Sequence, residues 1–141
     1  MSNATLQTIQ KKVSSRPPKA APAAKITLPD LKKGELYVGG TIDSGGKVTH
    51  IILLSGEKAD VNWKDALAWA KKEGGDLPNR IEQAMLWTHH AGKFQKRYYW
   101  SNEQYADGSD YAWGQGFGYG GQDYWRKVSK FMARAVRRVT I

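Results

Sequence analysis

A chain of 141 residues, 40% apolar and 11% aromatic, has room for one domain with a core of its own. Its formal charge of +9 favours an acidic partner such as nucleic acid, an anionic surface or an acidic protein. The lack of cysteine excludes thiol catalysis, disulfides and thiolate metal sites, and no stretch reaches the roughly 18 apolar residues of a membrane-spanning helix.

Residues 1–33 read as a basic arm. Lys11, Lys12, Arg16, Lys19 and Lys25 come without an acidic residue before Asp30, around a Pro17-Pro18-Lys-Ala-Ala-Pro22 run. Such a segment has too little apolar surface to offset its ordering entropy. We expect a flexible arm with a short helix around Thr5–Val13, either a solvated leader or a strap that docks on phosphates or on a neighbouring subunit. No apolar core follows Lys11 and Lys12, so a secretory signal is not expected, and the expected location is the cytoplasm or a particle assembled there.

The folded domain is expected over residues 34–141. Leu36-Tyr-Val38 and Val48-Thr-His-Ile-Ile-Leu-Leu54 flank Gly39-Gly40 and Asp43-Ser-Gly-Gly46, which predicts a β-hairpin. The second strand is apolar on both alternating sets, so it should be central and covered on both faces, with His50 a hydrogen-bonded structural residue. Asn62 or Asp60 can cap a helix whose Trp63, Ala66, Leu67 and Ala70 form one apolar stripe, ended by Gly74-Gly75. Asn79 and Glu82 form a capping-box variant that opens a second helix, with Ile81, Ala84, Met85 and Thr88 on one face and Gly92 as its stop.

After Phe94 the texture changes. Tyr98-Tyr-Trp100 and Tyr111-Ala-Trp113 read as short strands, while residues 102–109 and 114–121 read as exposed loops rich in polar residues and glycine. Residues 131–141, where Ala133 and Ala135 alternate with Arg134 and Val136, suit one terminal strand. The whole is an α+β pattern.

Little in this chain resembles a catalytic centre. His89 and His90 would point about 100 degrees apart on a helix and cannot hold one ion together. Asp107 and Asp110 could hold a hard cation, but the spacing of a calcium loop is absent and a solvated turn is the simpler reading. No metal or cofactor is therefore expected. Gly114-Gln-Gly116-Phe-Gly118-Tyr-Gly120-Gly121 lacks the lysine and following helix of a phosphate loop, and reads as a flexible aromatic-glycine loop. Basic residues interleave with aromatics at residues 93–100 and at Tyr124-Trp-Arg-Lys127. These would either stack bases and neutralise phosphates, or place Tyr99, Trp100 and Trp125 in the core, and the core reading is preferred.

Taken in order, Trp63-Lys-Asp-Ala-Leu-Ala-Trp-Ala70, Gly74-Gly-Asp-Leu-Pro-Asn-Arg80, Tyr99-Trp-Ser101, Tyr111-Ala-Trp113 and Ala133-Arg-Ala-Val-Arg137 resemble the C-terminal domain family named for the Lcl collagen-like adhesin. That family has many small members in bacteriophages and prophages. The resemblance covers residues 36–139 and implies a C-type-lectin-like fold, in which two helices pack on a small twisted antiparallel sheet and irregular loops display the binding surface. It implies a scaffold role for Trp63, Ala66, Trp69, Leu77, Pro78, Trp100, Trp113, Phe117 and Val136. Arg80, Glu82, Arg134 and Arg137 would brace the second helix against the sheet. The catalytic cysteines of the formylglycine-generating relatives are missing, and Leu77-Pro-Asn79 lacks the Glu of calcium-dependent sugar sites.

The expected function is a non-enzymatic, virion-associated or intracellular binding module. Its loops over 102–109 and 114–124 would contact a protein or surface ligand through Asn102, Tyr105, Asp107, Asp110, Tyr119, Gln122 and Tyr124. Lys11, Lys12, Arg16, Lys19, Lys25, Arg126 and Lys127 would contact a partner or nucleic acid. The alternative is a nucleic-acid-binding accessory protein of the infected cell that works through the same basic residues.

Overall fold

The computed structural model describes residues 26–141, so the expected Thr5–Val13 helix and the five arm cations lie outside the described residues. The chain folds in the order β1 (Leu36–Ile42), β2 (Val48–Leu53), β3 (Lys58–Val61), α1 (Trp63–Lys72), α2 (Arg80–His90), a 3₁₀ turn (Ala91–Lys93), β4 (Tyr98–Gln104), β5 (Tyr111–Gly116), β6 (Gln122–Arg126), β7 (Phe131–Ala133) and β8 (Val136–Thr140). This is an α+β architecture with two sheets. One has three antiparallel strands ordered β1-β2-β8, and the other has five ordered β3-β7-β4-β5-β6.

The predicted hairpin is present, with a bulge between Tyr37 and Gly39. β2 is the central strand, and His50 through Leu54 are buried. His50 accepts or donates a hydrogen bond with the Tyr37 hydroxyl at 2.7 Å, as a structural histidine should. β3 escaped the sequence reading, because Lys58-Ala-Asp-Val61 is short, polar and bent by a left-handed Asp60 (φ 50°).

The sheet differs from the expected single antiparallel one. Residues 131–141 do not form one strand: Arg134 and Ala135 interrupt them, β7 runs parallel to β4 at Tyr99 and Met132, and β8 crosses to the other sheet. Arg134 fixes the crossover by donating to the carbonyls of Lys93 (2.7 Å), Leu54 (2.8 Å) and Gly56 (3.2 Å). An arginine that satisfies three backbone acceptors in this way replaces ladder bonds the strand would otherwise need.

α1 forms as its sequence suggests. The Asn62 side chain accepts from the Asp65 N–H at 2.9 Å, Asp65 sits in the first turn and Lys71 and Lys72 in the last, and both signs complement the helix dipole. Ala66 and Ala70 are fully buried against Trp100, Leu77 and Ala133, with Trp63 and Leu67 packed beside them. Trp100 is itself fully buried, and its Nε1–H donates to the Val61 carbonyl at 2.9 Å.

α2 has the predicted capping box, but buries a different face from the expected one. Glu82, Gln83 and Leu86 are buried; of the expected face Met85 is partly buried against the core, whereas Ile81, at 67% exposure, and Ala84 and Thr88 face outward. Dedicated partners overturn the apolar pattern. Arg138 donates twice to the Glu82 carboxylate, at 2.6 and 2.7 Å, and the Gln83 amide donates to the Tyr99 carbonyl at 3.0 Å. The brace of α2 is therefore Arg138, not Arg134 or Arg137, and its guanidinium also reaches Asp76 at 2.8 Å. Glu82 and Asp76 raise the Arg138 pKa above its already high value. Arg137 instead pairs with Glu35 at 2.9 Å, and that hydrogen bond holds the Glu35 carboxyl below its usual range.

Candidate functional site

Register decides which side chains share a face of the β5–β6 hairpin. Tyr111 pairs with Arg126, Trp113 with Tyr124 and Gln115 with Gln122, and together these point to one side. Ala112 pairs with Trp125 and Gly114 with Asp123 on the other side.

The first side is the candidate site. Arg80, the first residue of α2, lays its guanidinium 3.5 Å from the centroid of the Trp113 ring. Its Nε–H donates to Gln122 Oε1 at 3.0 Å, and the Gln122 amide donates back to the Arg80 carbonyl at 2.8 Å. The Arg80 backbone N–H donates to Glu103 at 2.6 Å, so both polar neighbours of the arginine hold it in place. Next to this group Tyr105 stacks on Tyr124, with centroids 3.8 Å apart and planes 6° from parallel. Trp113 meets that pair edge-on at 5.6 and 5.3 Å, and Tyr111 meets Tyr124 at 6.0 Å. An open groove of about 660 Å³ adjoins the cluster, walled by Ile81, Ala84 and Trp87 of α2 and by Gln115 and Gln122 of the hairpin.

The glycine run is a packing device and not a flexible loop. Gly114 and Gly116 are buried in β5, and a Cβ on Gly114 would stand 2.4 Å from the Tyr98 ring. The Tyr119 ring lies where Cβ atoms of Gly116 (2.3 Å) and Gly121 (2.4 Å) would be, and Trp87 lies 2.5 Å from that of Gly120, whose φ is 88°. Aromatic rings cross the strands through the space these glycines leave.

Of the residues chosen from sequence, Tyr105, Gln122 and Tyr124 come together. Asn102 does not join them: it lies in β4, donating from its side chain to Asp76 and from its backbone to the Pro78 carbonyl, both at 2.9 Å. Tyr119 turns away from the cluster and donates to the Asp123 carboxylate, which raises the tyrosine pKa. Asp107 and Asp110 are exposed between β4 and β5, and the Asp110 carbonyl accepts the Lys127 N–H at 2.8 Å. Among the described residues no group of three His, Asp or Glu side chains is arranged to hold a metal ion. Arg126 is exposed, while Lys127 donates to Gln104 at 2.6 Å and sits 4.6 Å from the Trp63 ring centroid. Lys11, Lys12, Arg16, Lys19 and Lys25 lie outside the described residues.

Two members of the cluster, Arg80 and Trp113, read as scaffold in the sequence, because their partners are distant in the chain. Trp125, expected in the core with Tyr99 and Trp100, is instead 48% exposed, with one edge against Tyr98 and Phe131. Its strand is the last in the sheet, so no further strand or helix covers it among the described residues. No family model matches the sequence, and no curated protein matches it.

Proposed function

We propose that the chain is a non-enzymatic binding module, of the small phage or prophage type and C-type-lectin-like fold that its motif series resembles. It holds a protein or surface ligand against the open face of β4, β5 and β6. The observation that carries this reading is the Tyr105–Tyr124 stack beside the Arg80–Trp113 pair. Tyrosine, tryptophan and arginine are the side chains that most often anchor interfaces, and here they pack against one another on one face. The nearest titratable groups have structural tasks, since Glu103 caps the start of α2 and Arg80 is tied to Gln122. The binding surface is a strand face with a groove more than a set of loops. Affinity capture from virions and infected-cell extract, with wild type and a Tyr105→Ala/Tyr124→Ala double variant as baits, tests it. The wild type should retain a partner that the double variant loses, and equal retention by both would count against this face.

A second reading, nucleic-acid binding, draws on the half-exposed Trp125 next to the exposed Arg126. Base stacking on the indole with phosphate neutralisation would give binding that weakens steeply with salt. No retention of a labelled oligonucleotide by the full chain at low salt eliminates this reading.

A further inference from the structure

We infer that the outer edge of β6 is an interface for a second copy of this chain, joining two five-stranded sheets into one continuous sheet. An exposed strand edge offers unpaired N–H and C=O groups, and natural sheets usually guard it. The other edges here are guarded or irregular. β3 is bent by left-handed Asp60 and loses register between Lys58 and Val61. β1 has its bulge at Gly39, and β8 is partly covered by the bridge between Asp76 and Val136. β6 pairs without a break along its inner side, from Gln122 to Arg126, and no strand pairs with its outer side among the described residues.

The parity of that ladder shows which groups are free. The Gly116 N–H donates to the Gly121 carbonyl and the Lys127 N–H to the Asp110 carbonyl, both at 2.8 Å, at the two ends of the β5–β6 pairing. Bonded pairs alternate with non-bonded ones, so Asp123 and Trp125 turn their backbone groups to β5, and Gln122, Tyr124 and Arg126 turn theirs outward. Of these outward groups only the Arg126 carbonyl has a backbone partner among the described residues, the Ser129 N–H at 2.9 Å.

The edge is complementary to itself. An antiparallel pairing centred on Trp125 sets Tyr124 opposite Arg126 of the partner subunit and Trp125 opposite Trp125 of the partner subunit, and brings Asp123 up to Lys127 of the partner subunit, the first residue of the turn that follows β6. Unlike charges, a cation over an aromatic ring and an aromatic pair are the favourable cross-strand combinations. Shifting the centre to Tyr124 would set Asp123 opposite an indole instead. The pairing also covers the half-exposed Trp125 and Tyr124, at 48% and 44% exposure. It completes the aromatic site, because Arg126 of the partner subunit lands on the face that carries the Tyr105–Tyr124 stack. A two-fold axis perpendicular to the sheet keeps both such faces on one side, so a repetitive surface could be gripped twice.

In this register the paired strand runs from Tyr124 to Arg126 of each chain, at the small end of protein interfaces, so association is expected between roughly 10 µM and 1 mM. Sedimentation velocity of the full chain over that range should show the mass rising from one copy to two. Because the chain has no cysteine, Trp125→Cys should give a disulfide-linked dimer under mild oxidation, since non-bonded antiparallel pairs stand about 4.5 Å apart, within disulfide reach. Lys72→Cys, on the exposed end of α1, should not. Tyr124→Pro removes one outward N–H and leaves the β5 ladder whole, so it should hold the chain monomeric with an unchanged circular dichroism spectrum. If the proline costs the fold, Asp123→Lys, which brings lysine up to lysine, should have the same effect on mass. A single-copy mass across the whole range, equal cross-linking of Lys72→Cys and Trp125→Cys, or a dimer that survives Asp123→Lys overturns the interface. None of these outcomes depends on which ligand the open face takes.

Discussion

The five-stranded sheet has a closed face and an open one, and the two are built on different terms. On the closed face α1 lays Ala66 and Ala70 against Trp100, Ala112 and Ala133, and small residues on one element receive large ones from the other. On the open face α2 covers Tyr99 and Phe117 with Leu86, then leaves Trp113, Tyr111 and Tyr124 to each other and to Arg80. The closed face is organised by apolar volume, and removing volume should be costly there. The open face is organised by hydrogen bonds and ring stacking at a helix end, so it can be altered without loss of the frame.

That contrast is open to measurement. Trp100→Ala, on the closed face, should destabilise the protein by about 3–5 kcal/mol in urea unfolding, because a fully buried indole leaves both a cavity and an unpaired Val61 carbonyl. A loss under about 1 kcal/mol would mean that the closed face is not close-packed. Arg138→Ala leaves the buried Glu82 carboxylate without its guanidinium and should cost about 3 kcal/mol, whereas Arg138→Lys should restore only part of that. If the alanine variant is as stable as wild type, α2 is held by its apolar residues after all. Gly114→Ala should cost about 1–3 kcal/mol, because its Cβ would stand 2.4 Å from the Tyr98 ring and 2.5 Å from the Tyr99 carbonyl, and Tyr98→Ala in the same background should relieve only the ring's share, as a double-mutant cycle would show. Smallest is Tyr124→Ala on the open face, where unfolding should move by no more than about 1 kcal/mol although capture of a ligand is lost.

How far the sequence could be read followed the same division. The hairpin of β1 and β2, the Asn62 cap and the stripe of α1, and the Asn79–Glu82 box are local signals in which each residue's role depends on neighbours a few positions away. All of these are present. Pattern failed where a partner came from far along the chain. Gln83 looks like a solvent-facing residue until the Tyr99 carbonyl is placed beside it, and the bracing expected of Glu82 is made with Arg138, a residue outside the motif series. Residues 131–141 look like one strand until the three carbonyls that hold Arg134 are brought together. In the candidate site Tyr105, Gln122 and Tyr124 were legible as display residues, but the Arg80–Trp113 pair joins residues of α2 and β5 and has no local signature. The glycines of β5 were misread for a similar reason: the rings that occupy their missing side chains come from Tyr98, Tyr119 and Trp87.

The place of β2 between β1 and β8 has a consequence for how the molecule is made. Its near partner arrives at once, through a turn a few residues long, but its other partner, from Val136 to Thr140, follows β3 to β7 and both helices in chain order. Until then the strand His-Ile-Ile-Leu presents an unpaired apolar border, the kind of surface that nascent chains lose to aggregation or to chaperones. Closing so long a loop is slow compared with forming either helix, so refolding should be limited by the docking of β8. A strand enclosed between two others in the finished protein is thus left with one side open while most of the chain is made.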